Sequence, residues 1–106
     1  MANSIHEFDD DKRNANILIY INGELKLRNE AMVSVFDSGF VLGDGVWEGM
    51  RIHDGHPAFM DQHLDRLYEG AKAIPMNIGL DRDALTHAIY QTLAANDMKD
   101  GAHMRL

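Results

Sequence analysis

A chain of 106 residues with 45% apolar and 25% charged side chains has the size of one domain and enough apolar material for a core. Its formal charge of −7 excludes the broad basic surface that nucleic acid or an anionic membrane face requires, while a local basic pocket for a small anion stays open. The absence of cysteine excludes disulfides and thiolate metal sites.

Residues 1–15 read as a polar tail. Glu7, Asp9, Asp10 and Asp11 make the start unlike a signal peptide, which needs a basic beginning and an apolar stretch, and the acidic run reads as solvated. The apolar run Ile17 to Ile21 is far too short to span a bilayer. These features fit a cytoplasmic protein that does not enter a membrane. Ile17 to Ile21 is rich in β-branched residues and predicts a strand. Asn22-Gly23 supplies the two positive-φ positions of a tight hairpin turn, and Glu24 to Leu27 is expected to return as the second strand, with Leu25 and Leu27 on one face.

Met32 to Phe36 predicts a further short strand, punctuated by Asp37-Ser38-Gly39. Val46 to His53 predicts a strand, Asp54-Gly55 a turn and His56 to Met60 the partner of a second hairpin. Met60, Leu64, Leu67, Tyr68, Ala71 and Ile74 follow helical spacing, with Asp61 as N-cap and Pro75 as the stop. Leu85, Ala88, Ile89 and Leu93 mark a second helix, capped by Asp81 and ended by the Asn96 to Gly101 region. Ala102 to Leu106 reads as a final strand. Two hairpins, two helices and a strand predict an α+β fold: an antiparallel sheet built from hairpins and packed on two helices. An open strand at Leu106 invites wrong pairing, so the sequence is expected to continue past it or to meet a partner chain there.

Strand alternation over 46–53 puts Trp47, Gly49, Arg51 and His53 on one face and Val46, Glu48, Met50 and Ile52 on the other. The second face is the core candidate, with Glu48 as its anomaly. The first offers an aromatic wall, a gap at Gly49 for a ligand and a cation, a set that suits a small carboxylate. The same pattern also describes a partly exposed sheet face with a packed tryptophan. Arg66 falls about a third of a turn off the apolar stripe of its helix. There it is either solvated, with Glu69 as a neighbour, or available to a phosphate, whose geometry its planar fork matches. His103 and Arg105 face one way, and Ala102, Met104 and Leu106 the other. The spacing of His53, His56 and His63 predicts no metal site. Gly43-Asp44-Gly45-Val46-Trp47-Glu48 fails the dinucleotide fingerprint.

Three segments carry a resemblance. Phe36-Asp37-Ser38-Gly39-Phe40-Val41-Leu42-Gly43-Asp44-Gly45-Val46-Trp47-Glu48-Gly49-Met50-Arg51 is similar to the signature D-x-G-[FY]…GDG-V-[FY]-E-G-[IM]-R. His63-Leu64-Asp65-Arg66-Leu67, with Ala71-Lys72, is similar to the helix H-[LM]-x-R-L…S-A-[KE]. Ala102-His103-Met104-Arg105-Leu106 is similar to the strand [AG]-Y-[IL]-R. Together they resemble, over about residues 16–106, the amino-terminal small domain of class IV (fold type IV) pyridoxal-phosphate (PLP) aminotransferases of the branched-chain and D-amino-acid kind.

The resemblance implies an enzyme that uses pyridoxal 5'-phosphate to move an amino group between an amino acid and a 2-oxo acid, working as a homodimer. It implies that Arg66 holds the cofactor phosphate, and that Trp47, Gly49, Arg51, His103, Arg105 and Leu42 line the substrate pocket, Leu42 being reached from the other subunit. His103 departs from the tyrosine of the branched-chain type, Trp47 from the usual Phe or Tyr, and Leu42 from another tyrosine. A larger ring at Trp47 is expected to narrow the pocket. No catalytic residue is assigned here, because Lys12, Lys26, Lys72 and Lys99 all lack the sequence context of the family's Schiff-base lysine. The expectation is therefore a binding portion truncated before the lysine-bearing domain and inactive alone. Arg51 and Arg105 lean towards the branched-chain type; D-amino-acid and amine transaminases and aminodeoxychorismate lyase share the pattern. Two further readings are a stand-alone interaction or dimerisation module derived from the enzyme, and a half completed by a separate lysine-bearing chain.

Overall fold

A computed structural model describes residues 11–106; the rest of the expected polar tail and acidic run lies outside the described residues. Residues 11–15 are not a loose tail. Lys12–Asn14 form a 3-10 turn capped by the Asp11 carboxylate. Arg13 donates from Nη1 to the Asp100 carbonyl at 2.9 Å and from Nη2 to the Gly101 carbonyl at 2.8 Å. That anchorage gives the segment a fixed path.

Strands β1 (Leu18–Ile21) and β2 (Glu24–Leu27) pair antiparallel, with Leu18 opposite Leu27 and Tyr20 opposite Leu25. Asn22 and Gly23 turn the chain at φ 51° and 85°, the pair of left-handed positions that a two-residue hairpin loop demands. The expected strand at Met32 to Phe36 does not form. Among the described residues no strand meets its backbone, Phe36 is 88% exposed, and a 3-10 turn at Arg28–Glu30 has already redirected the chain. Asp37 then accepts from Gly39 N and caps a single helical turn, α1 (Ser38–Val41), where the sequence suggested only punctuation.

Strand β3 (Gly49–His53) lies between β4 (His56–Pro57) and β5 (Ala102–Arg105), all antiparallel. Glu48, just before β3, already exchanges both backbone hydrogen bonds with Leu106, at 3.1 and 2.8 Å. The partner strand is shorter than expected, because Ala58 N donates to the Arg51 carbonyl and the chain then turns into the helix. The described strands thus form two antiparallel sheets, a two-stranded and a three-stranded one, rather than one continuous sheet.

Helix α2 (Met60–Ala73) buries Leu64, Leu67 and Ala71, three residues of one stripe, and packs on β3. Its N-cap is Phe59, at φ 56° and without a side-chain cap, not Asp61; Asp61 sits inside the first turn, where a carboxylate favours the helix dipole. Helix α3 (Arg82–Ala95) starts as expected, with the Asp81 carboxylate accepting from Ala84 N at 2.8 Å, and packs on β1. Met50, Ile52, Leu64, Leu67, Ile89 and Leu93 form the core between β3 and the two helices. Gly70 permits a close approach: a Cβ there would stand 3.2 Å from Val46 Cγ1.

The hairpin joins this body through Asn96, the C-cap of α3. Its side chain accepts from Leu18 N at 2.7 Å and donates to the Leu18 carbonyl at 2.9 Å, so an amide takes the place of a neighbouring strand. An apolar cavity of about 340 Å³ stays open between β1, α3 and the core face of β5. No described helix is long and apolar enough to cross a membrane.

Candidate functional site

The register of β3 and β5 decides which side chains share a face. Met50 pairs with Met104 and Ile52 with Ala102, toward the core. Gly49 pairs with Arg105 and Arg51 with His103, on the opposite face. Because side chains alternate, this one register separates the apolar set from the polar set over the whole ladder.

Trp47, Glu48, Gly49, Arg66 and His103 line a shallow concavity at the end of this ladder. The Arg105 guanidinium lies over the Trp47 ring, 4.5 Å from its centroid, within cation–π range. The gap that the sequence suggested over Gly49 is taken up by the His103 ring: a Cβ at Gly49 would stand 2.6 Å from His103 Nε2. Arg51 is exposed on the same face of the sheet and opposite His103, outside the lining of the concavity. Leu42, at the end of α1, is 72% exposed and also apart from it. Of the expected site residues, the structure therefore joins Trp47, Gly49, His103 and Arg66, with Arg105 stacked on Trp47, and leaves Arg51 and Leu42 outside the concavity.

Glu48 is the feature that the sequence reading marked only as an anomaly. Its side chain points to the core side and is 7% exposed. A buried carboxylate needs partners, and it has two. Arg66 donates from Nε to Oε2 at 2.8 Å and from Nη2 to Oε1 at 2.6 Å, a fork on a carboxylate. His63 Nδ1 lies 2.7 Å from Oε1, and since an ionised carboxylate only accepts, that nitrogen carries the proton. These bonds, Arg66's first and His63's second, hold the Glu48 carboxyl at about 2 against an ordinary 4.5, and burial opposes them only in part. The same pairing raises Arg66.

Arg66 is thus neither a merely solvated arginine nor a partner of Glu69. Its side chain remains 70% exposed, and its Nη1 donates to nothing among the described residues. The sequence signals that Glu48 needs partners, since an acid on a core face calls for them, but it does not say that His63 and Arg66 are those partners.

The remaining polar groups do less. His56 Nδ1 lies 2.9 Å from the Tyr90 hydroxyl. No group of three His, Asp or Glu stands where it would hold a metal ion among the described residues. The apolar cavity beneath the hairpin is lined largely by core side chains, with Tyr20, Thr92, His103 and Arg105 among its polar neighbours.

The family described as amino-transferase class IV matches residues 45–106. Branched-chain-amino-acid aminotransferase-like protein 2 of Arabidopsis thaliana is 44% identical over 93 residues, 88% of this chain and 17% of that protein. D-alanine aminotransferase of Staphylococcus haemolyticus is 34% identical over 83 residues, 78% of this chain and 29% of that protein. A crystal structure of the branched-chain aminotransferase from Thermoproteus uzoniensis with norvaline superposes with a TM-score of 0.77 at 26% identity, over 85% of this chain and 32% of that one. The chain therefore spans less than a third of each relative's length.

Proposed function

The chain belongs to the class IV aminotransferase family, and on that premise we propose that residues 16–106 act as the small amino-terminal domain of a PLP aminotransferase. The reaction moves an amino group between an amino acid of the branched-chain type and a 2-oxo acid. The observation that carries this reading is the convergence of Arg66, Trp47, Gly49 and His103 on one concavity, with Arg105 stacked on its Trp47 wall.

A phosphate fits this arrangement. Among the described residues Arg66 Nη1 is unengaged, on an exposed guanidinium fixed in charge and in direction. Bound PLP supplies the electron sink for chemistry at the amino acid's α-carbon. The chain's own residues bind and orient. Arg66 holds the phosphate. Arg105 and Arg51 attract the substrate carboxylate, and Trp47 keeps Arg105 in place while closing one side of the pocket. His103 sits over Gly49 and sets the polarity of the pocket floor. Leu42, apart from this group, reaches the pocket of a second subunit in a homodimer. None of Lys12, Lys26, Lys72 and Lys99 lines the concavity, so the lysine of the reaction comes from outside these residues. A cytoplasmic site of action fits the acidic, cysteine-free composition.

Arg66→Ala in the protein at its natural length tests the assignment. PLP affinity is expected to fall roughly ten- to a hundredfold, the worth of a charged hydrogen bond. Unchanged affinity removes Arg66 from the site. A substrate panel tests the lean towards branched-chain substrates: turnover of L-valine supports it, and turnover of D-alanine with none of L-valine defeats it.

A further inference from the structure

We propose that Glu48 is a positioning residue for the cofactor phosphate: it grips the Nε–Nη2 edge of Arg66, so that the remaining Nη1 side is presented to the anion in a single orientation. The inference rests on the reading of Arg66 given above.

The geometry is specific to one edge of the guanidinium. Nε and Nη2 are both spent on Glu48, at 2.8 and 2.6 Å, and Nη1 is the group left over among the described residues. Glu48 itself cannot turn away. Its backbone N–H and carbonyl are both bonded to Leu106, and His63 holds Oε1 from a second direction at 2.7 Å. His63 and Arg66 stand three residues apart on α2, so the carboxylate also ties the residue just before β3 to the helix that carries the cation. An exposed arginine on its own samples many rotamers and gives up that freedom when an anion binds. Here the freedom is given up beforehand, at the folding step.

Charge alone predicts the opposite role. A carboxylate next to Arg66 lowers the positive potential there, so a purely electrostatic account has Glu48 weakening phosphate binding. Orientation and electrostatics thus give opposite signs for one substitution, and the sign decides.

Glu48→Gln keeps the shape and one acceptor oxygen, but loses the charge and the second acceptor. In the protein at its natural length, PLP affinity is expected to fall about tenfold. Affinity for pyridoxal, which has no phosphate, is expected to stay unchanged, and Glu48→Gln is expected to add nothing in an Arg66→Ala background. Equal or tighter PLP binding by Glu48→Gln overturns the proposal while Arg66→Ala still weakens binding. If Arg66→Ala has no effect, the reading of Arg66 fails and the proposal falls with it. Should Glu48→Gln not fold, the wild-type protein decides by nitrogen-15 NMR. The Arg66 Nε–H signal is expected to exchange slowly and to persist when PLP is added, while Nη1 shifts. An Nε–H signal that is lost or moved on adding PLP shows that the phosphate displaces Glu48, and overturns the proposal.

Discussion

His103 and Gly49 are complementary in space: the imidazole stands where a side chain at position 49 would begin, 2.6 Å from its Cβ to Nε2. Two effects oppose each other in Gly49→Ala. Restricting the unfolded chain gains about 0.4–1 kcal/mol, and pushing the exposed His103 ring off its rotamer costs about 0.5–1.5 kcal/mol. The single variant is therefore expected within about 1 kcal/mol of wild type, and in a His103→Ala background the same change is expected to stabilise outright. Urea midpoints of the four proteins check this. A loss above about 2 kcal/mol in both backgrounds means that the ring is not what Gly49 accommodates.

Trp47 and Arg105 are expected to couple by about 0.5–1 kcal/mol, the range of an exposed cation–π pair. A double-mutant cycle with Trp47→Leu and Arg105→Gln measures this coupling directly. Additive effects would show that Arg105 owes nothing to the ring beneath it.

The Glu48 carboxyl titrates at about 2 in the folded protein and at an ordinary 4.5 once its partners are lost. A depressed folded-state value stabilises the fold above the unfolded value, and that stabilisation disappears as pH falls through the folded one. Wild-type melting temperature is expected to drop between about pH 4.5 and about pH 2 by more than that of Glu48→Gln. Parallel curves for the two proteins would contradict the Arg66 and His63 pairing.

Asn96→Ala removes both bonds to Leu18 and leaves the strand's N–H and carbonyl without those partners. A cost of about 1–3 kcal/mol is expected, together with faster hydrogen exchange at the Leu18 amide. Unchanged exchange there would mean that the hairpin is held by its apolar contacts and not by this amide.

The parts of the fold that were legible are those set by neighbours in the chain. Asn22-Gly23 dictated its hairpin, Asp81 its helix start, and the stripe Leu64, Leu67, Ala71 its buried side. Met32 to Phe36 misled because β-branched residues favour a strand only where another strand offers hydrogen bonds, and none of the described strands does. Asp61 misled because Phe59, in a left-handed conformation, starts the helix earlier. In the site, alternation located Trp47, Gly49, Arg51, His103 and Arg105 on one face. The partners of Glu48 were not legible, since they lie 15 and 18 residues away and only packing of α2 on β3 brings them together. The same holds for Asn96 and Leu18, 78 residues apart.

The register that pairs Met50 with Met104 and Arg51 with His103 also bears on how this protein changes over generations. Every second position in β3 and β5 answers to folding, and the positions between are, on the function proposed above, the ones that meet the ligand. Substitutions at Trp47, Arg51, His103 or Arg105 can retune what is recognised while the apolar ladder of Met50, Ile52 and Met104 stays untouched. Glu48 breaks this division of labour, because it sits on the folding side and reaches across to Arg66. A change at Glu48 is therefore expected to disturb both the packing of the fold and the setting of Arg66 at once, whereas a change at an outward position alters recognition alone.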